Sequence, residues 1–154
     1  MIVPVVITGV ALYASFAKVG LNNTILGLIM AHSLLAIPMV FLTMSAAFAR
    51  FDANLELAAM SMGSTPVGAF FKVILPGVKN SVVTGTLLSF VTSLDEVVVT
   101  IFVSGANTKT LPMMMWENLR ATIDPTIAVA ATFLIILTLG MYVIKEFIES
   151  RSKD

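Results

Sequence analysis

The sequence predicts an all-α, polytopic membrane helix bundle with about four transmembrane helices, forming a single domain over residues 1–154. Composition is the first reason: 58% of the residues are hydrophobic, 12% are charged and the mean hydropathy is +0.99. An ordinary soluble domain carries roughly a quarter charged residues. The second reason is that long stretches of the chain have few or no charges, and about 20 apolar residues are enough to cross a bilayer as a helix.

The predicted spans differ in length and in polar content. The first span is short and begins at the very start of the sequence, and we therefore expect that the sequence lacks the N-terminal part of a longer protein. The third contains a pair of acidic residues, Asp95 and Glu96. The spans cover residues 2–16, 25–48, 82–103 and 127–147, and a long connecting segment at 50–80 separates the second from the third.

The segment at 50–80 has the punctuation of a helix, a turn and a second helix. Asp52 or Asn54 can cap the first helix, and Gly63 suits the left-handed position that ends it. Thr65-Pro66 is a strong start signal for the second helix, which should end at Pro76-Gly77. A short helix with small residues at a membrane surface is typical of a docking element.

Positive charges predict the orientation, because Lys and Arg in short loops stay on the cytoplasmic side. The 50–80 segment and the C-terminal tail should therefore be cytoplasmic, together with both termini. The predicted cytoplasmic cations are Arg50, Lys72, Lys79, Lys145, Arg151 and Lys153, against Lys18, Lys109 and Arg120 on the other side.

The 50–80 segment resembles the EAA loop of bacterial ABC-importer permeases. The family pattern is Glu-Ala-Ala, three residues, Gly, nine residues, Ile, any residue, Leu-Pro. Leu57 stands at the Glu position, with Glu56 one residue earlier, and Val73 stands at the Ile position. The resemblance implies a coupling helix that docks on a separate ATPase subunit. The implied coupling residues are Glu56, Leu57, Ala58, Ala59, Gly63, Leu75 and Pro76.

A second stretch resembles the spermidine/putrescine permeases of that family. It runs from Ser89 to Thr100 and continues through Phe102-Val103-Ser104-Gly105, Leu111-Pro112 and Asp124-Pro125. The resemblance implies a bacterial inner-membrane subunit that carries a small cationic solute and has no cofactor. Its implied partners are an ABC ATPase, a second permease subunit, a periplasmic substrate-binding protein and the lipid bilayer.

Asp95 and Glu96 are the leading candidates for the solute pathway. Ionisable residues at membrane depth cost a few kcal/mol each on insertion scales, so they usually have a function. A carboxylate there would attract a cation such as a polyamine. Two structural alternatives remain open: one of the pair could form an ion pair with Lys109, or could cap a neighbouring helix.

Other polar residues give weaker signals. His32, inside the second span, is interpreted as an interhelical hydrogen-bond donor, since a proton relay would require an acidic partner. The run Met113-Met114-Met115 is interpreted as interfacial packing rather than a metal site. By the family resemblance, Trp116, Glu117 and Arg120 in the outer region are candidates for contact with the binding protein.

Several function classes are disfavoured. The chain has no Cys, one His and no Walker-type phosphate loop, so it is not expected to be an enzyme or to hold a metal. Nine basic residues balance nine acidic ones, which argues against nucleic-acid binding. The alternatives are a small four-helix channel or exporter without an ATPase, a non-functional permease fragment, or a permease for iron, thiosulfate, phosphate or opine-like solutes.

Overall fold

The computed structural model describes residues 3–121 and 125–150, so Arg151 and Lys153 of the predicted cytoplasmic tail lie outside it. Within these ranges the chain forms helices and no strand, which confirms the all-α fold. The helices are α1 (Val5–Val19), α2 (Ile25–Arg50), α3 (Ala53–Ser61), α4 (Pro66–Gly77), α5 (Lys79–Leu94), α6 (Val98–Val103), α7 (Leu111–Ala121) and α8 (Pro125–Ser150).

Two described helices, α2 and the segment Pro125–Phe147 of α8, are each long and apolar enough to cross a membrane. A third span is present if α4 and α5, which meet at an angle of 69°, are taken as one bent segment. The apolar helix α1 has 15 residues, about 22 Å at the standard helical rise. It begins at Val5, after Pro4, and ends at Val19, three residues later than the predicted span. Gly20 follows in the left-handed conformation.

The prediction of one continuous helix over 82–103 is wrong. Helix α5 ends at Leu94 and α6 begins at Val98, so the acidic pair occupies a break between two helices. The Glu96 side chain accepts a hydrogen bond from the Val99 backbone N–H, which satisfies a donor at the start of α6. Irregular backbone at membrane depth is tolerated where it is buried in protein or lines a cavity, and this break lies beside one.

The core is formed by α1, α2 and α6. Phe16 from α1, Leu35 from α2, and Val99 and Val103 from α6 are buried together. Helix α5 lies along α2, and Gly85 faces this contact: a Cβ added there would stand at an ordinary contact distance of 3.6 Å from the Thr43 Cβ. The short α6 is therefore held inside the bundle by two longer helices.

The predicted caps of the 50–80 segment are confirmed. The Asp52 carboxylate accepts from the Asn54 N–H, and the Thr65 hydroxyl accepts from the Gly68 N–H. Gly63 has a φ of 91°, and the two backbone bonds that surround it close α3 as a Schellman motif. The turn chemistry is local, so the sequence could reveal it.

Helix α4 contains a feature that the sequence did not predict. Phe70–Ile74 forms a π-helical turn, with the Leu75 N–H bonded to the Phe70 carbonyl. Pro76 offers no N–H and its ring crowds the carbonyl four residues earlier, and the wider turn relieves that crowding. The end of α4 also packs against the start of the segment, because a Cβ at Gly77 would stand 2.7 Å from the Phe51 ring.

Candidate translocation site and coupling surface

The break between α5 and α6 is called here the acidic turn and comprises residues 95–97. Asp95 is exposed and Glu96 is half-buried. The Glu96 Oε1 accepts from the Val99 N–H at 2.8 Å, and the Glu96 carbonyl accepts from the Thr100 hydroxyl at 3.0 Å. Glu96 therefore acts as a helix cap, one of the structural alternatives that the sequence left open.

Asp95 faces a cavity of about 480 Å³ between α5, α7 and α8. The cavity wall is mostly apolar, and two aromatic side chains, Trp116 and Tyr142, contribute to it. Pairing with Lys109, the other structural alternative, does not occur, because the Lys109 Nζ lies 2.6 Å from the Glu117 Oε2. Asp95 thus brings a carboxylate to an aromatic-lined space, an arrangement suited to a cation. Sequence reasoning missed Tyr142, which lies 47 residues after Asp95 with no local signal to connect them.

His32 joins α2 to both sides of the acidic turn. Its Nδ1 lies 2.8 Å from the Ser93 Oγ at the end of α5, and its Nε2 lies 3.0 Å from the Thr100 Oγ1 in α6. The predicted role in an interhelical hydrogen bond is confirmed. Sequence reasoning did not identify Ser93 and Thr100 as its partners, because they are 61 and 68 residues away in the chain.

A second cavity, of about 390 Å³, lies beside His32 and Ser93. Its other walls are apolar side chains of α2, α5 and α8, together with the Thr110-Leu111-Pro112 segment that begins α7. Leu94, Pro112 and Leu134 line both cavities. These three side chains thus lie between an apolar space and the space that Asp95 faces.

Helix α7 carries the three residues predicted to contact a binding protein. Trp116 is 44% exposed, and the Arg120 guanidinium carbon lies 4.8 Å from the centre of its ring. Glu117 is held in the ion pair with Lys109. Met113 is buried and its sulfur accepts from the Ser104 hydroxyl, which fits the packing interpretation of the methionine run.

Helix α3 carries four of the seven predicted coupling residues, Glu56 to Ala59, and none of its residues is buried. Leu57 is 61% exposed and Ala58 is exposed, whereas Glu56 and Ala59 are half-buried. At the end of α4, Leu75 is half-buried and Pro76 is exposed. The Glu position of the family pattern is therefore occupied by an exposed apolar residue, Leu57. The carboxylate of the preceding residue, Glu56, is half-buried.

Comparison with known proteins shows the family of this chain. Residues 1–154 match the family described as binding-protein-dependent transport system inner membrane component. The chain belongs to this family. As an inner-membrane component of such systems it is a multi-pass membrane protein, in agreement with its apolar helices.

Curated relatives of this inner-membrane component confirm the resemblance to polyamine permeases. The chain is 34% identical over 152 residues to the spermidine/putrescine transport system permease protein PotC of Haemophilus influenzae, which covers 99% of the chain and 59% of the relative. It is 32% identical over 141 residues to the putrescine transport system permease protein PotI of Escherichia coli, which covers 88% of the chain and 50% of the relative. The chain thus spans between half and three-fifths of these relatives' length. A more distant relative, the molybdenum transport system permease protein ModB of Mycobacterium bovis, is 26% identical over 159 residues and covers 94% of the chain.

Proposed function

We propose that this chain is a permease subunit of an ABC importer for polyamines such as spermidine and putrescine. One observation carries the proposal: in a member of this family, Asp95 brings a carboxylate to an aromatic-lined cavity of about 480 Å³ at a break in a membrane helix. The names of the relatives support the same solute class. ATP hydrolysis is assigned to a separate subunit.

The charge at this cavity favours a cation over an anion. A carboxylate and an ammonium group 4 Å apart attract by about 1 kcal/mol in water and by about 4 kcal/mol at the effective dielectric constant typical of a protein surface. Tyr142 can add attraction through its ring face, whereas the Trp116 ring already carries the Arg120 guanidinium on one face. The same carboxylate would repel phosphate or thiosulfate, which makes importers of those anions the weaker alternatives.

The coupling role is assigned to α3 and to the Gly63 turn. Leu57 and Ala58 offer an apolar, close-fitting surface to the ATPase, and Ala permits close approach. Leu75 and Pro76 join this surface to α5, which leads to the acidic turn. A channel or exporter that works without an ATPase would have no use for this exposed helix.

The sidedness follows from the positive charges. Arg50 and Lys79 flank α3 and α4 and Lys72 lies within α4, so we assign this segment to the cytoplasm along with both termini. Helix α7 then lies on the periplasmic side, where Trp116, Glu117 and Arg120 can meet the substrate-binding protein. The exposed apolar residues of α2 and α8 are left to lipid and to a second permease subunit.

Uptake of labelled spermidine by the complete importer, reconstituted in vesicles, tests the solute site. We expect Asp95→Asn to raise the KM for spermidine by about tenfold or more, since 1.4 kcal/mol of lost attraction is a factor of ten. Glu96→Gln should have a smaller effect, because Gln keeps an oxygen that can accept from the Val99 N–H. ATPase activity of the assembled complex is measured in parallel and should persist in both variants.

Glu146→Gln is the matched control, because Glu146 is an exposed carboxylate on α8 that does not line the cavity. It should leave the KM unchanged. A parental KM in Asp95→Asn would reject the solute site. Uptake of phosphate or thiosulfate instead of spermidine would reject the polyamine assignment, and uptake without the ATPase subunit would favour the channel.

A further inference from the structure

The acidic turn has no regular backbone structure of its own, so its position depends on what holds it. Residues 95–97 lie between α5 and α6 and belong to neither helix. The Glu96 bonds to Val99 and Thr100 attach the turn to α6 but not to the rest of the bundle. Another contact must fix the two helix ends relative to each other.

His32 supplies this contact from α2. Its ring is hydrogen-bonded to Ser93, two residues before the turn, and to Thr100, three residues after it. Thr100 is fully buried. Ser93, His32, Thr100 and Glu96 therefore form one continuous chain of hydrogen bonds that crosses the break.

The direction of each bond follows from counting hydrogens. The Thr100 hydroxyl has one hydrogen and donates it to the Glu96 carbonyl, so it must accept from the His32 Nε2–H. In the neutral ring the Nδ1 then carries no hydrogen and accepts from the Ser93 hydroxyl. Every donor in the chain has an acceptor, and one tautomer of His32 is selected.

We propose that His32 is a positioning residue that holds both ends of the acidic turn against α2 and so places Asp95 at its cavity. This rests on the proposed function, because Asp95 is the residue assigned to the cationic solute. His32 acts through the turn: it does not line the cavity that Asp95 faces. Replacing it should change how well the solute binds while the ATPase cycle continues.

The first test compares three replacements of His32 in the complete importer. Leu removes both bonds, Asn can reach towards Ser93, and Gln can reach towards Thr100. Interhelical hydrogen bonds in membranes average about 0.6 kcal/mol each, so loss of two should raise the KM for spermidine by about eightfold in His32→Leu, and by no more than in Asp95→Asn, because His32 acts through Asp95. Asn and Gln should each restore part of the loss, and the basal ATPase activity should stay within twofold of the parent.

Ser89→Ala is the matched control. The Ser89 hydroxyl donates to the Ala36 carbonyl at 3.5 Å, another bond between α5 and α2, one helical turn before Ser93. It does not touch the acidic turn, so its KM should match the parent. An equal rise in KM in Ser89→Ala and His32→Leu would overturn the proposal, since it would reflect general loosening of the α2–α5 contact. An unchanged KM in His32→Leu, together with a raised KM in Asp95→Asn, would overturn it as well.

A second measurement reports the position of the turn without relying on transport. The chain has no cysteine, so Asp95→Cys introduces one labelling site in this subunit. Its rate of reaction with a cationic methanethiosulfonate reagent, followed by the mass of this subunit, should change at least threefold when His32→Leu is added and not when Ser89→Ala is added. Equal rates in all three backgrounds would overturn the proposal. A His32-dependent rate together with spermidine uptake that is insensitive to Asp95→Asn would reject the solute site and leave the positioning role supported.

Discussion

Substitution of Gly63 offers a sharp test of the coupling turn, because the cost can be assigned to one cause. Gly63 has a φ of 91°, and a Cβ added there would meet no described heavy atom within 4 Å. Steric crowding by neighbours therefore contributes nothing, and the penalty of Gly63→Ala is that of an L-residue in left-handed backbone, about 1–2 kcal/mol. This corresponds to a factor of about 5–30 in the population of the native turn. Gly63→Asn should cost less, since Asn tolerates this region better.

The assay is binding of the purified ATPase subunit to the permease, with solute-stimulated ATP hydrolysis as a second readout. We expect Gly63→Ala to weaken binding by up to 30-fold and Gly63→Asn to lie between Ala and the parent. Gly20→Ala is the control: Gly20 ends α1 with a φ of 71°, and a Cβ there would also meet no described heavy atom within 4 Å. Gly20→Ala therefore carries a comparable backbone penalty, but at the end of α1 and not next to α3.

Two results would refute this reasoning. If Gly63→Ala binds the ATPase as tightly as the parent, the turn does not shape the docking surface. If Gly20→Ala weakens binding as much as Gly63→Ala, the effect comes from general destabilisation of the bundle. The order of ATPase affinity at position 63 also matters. An order of Gly, then Asn, then Ala indicates backbone strain rather than loss of a specific contact.

Two further predictions concern packing and surface charge. Gly85→Ala should be nearly neutral, because its Cβ would stand at an ordinary contact distance from Thr43. Gly85→Leu should overpack the α2–α5 contact, which should cost about 1–3 kcal/mol of stability and lower the Tm of the detergent-solubilised importer. Lys109→Met should cost at most about 1 kcal/mol, since Lys109 and Glu117 are 32% and 41% exposed in their ion pair; a Tm loss as large as that of Gly85→Leu would contradict this estimate.

The sequence predicted best the features that depend on local chemistry. The second span was expected at 25–48 and α2 covers Ile25–Arg50, because hydropathy and length decide a membrane helix. The caps at Asp52 and Thr65 and the left-handed Gly63 depend only on residues within a few positions along the chain. Such features are visible before any tertiary contact is known.

The break at the acidic turn and the partners of His32 could not be predicted in the same way. A hydropathy window averages over 82–103 and shows no interruption, since apolar residues continue on both sides of Asp95 and Glu96. The hydrogen bonds from His32 to Ser93 and Thr100 require α2 and the two later helices to be in place together. For the acidic pair, the sequence favoured pathway lining by at least one residue and left a capping role open; the structure gives the cap to Glu96 and the cavity to Asp95.

The shortness of α6 has a consequence for how the protein enters the membrane. Six residues span about 9 Å and the 16 residues of α5 span about 24 Å, so neither matches the roughly 30 Å hydrocarbon core. During synthesis α6 therefore cannot be stably accommodated by lipid in the way α2 can. Its buried surface is complementary to α1 and α2, which leave the ribosome earlier. Biogenesis is thus expected to be ordered, with the earlier helices forming the site that receives α6 and the acidic turn acquiring its position last.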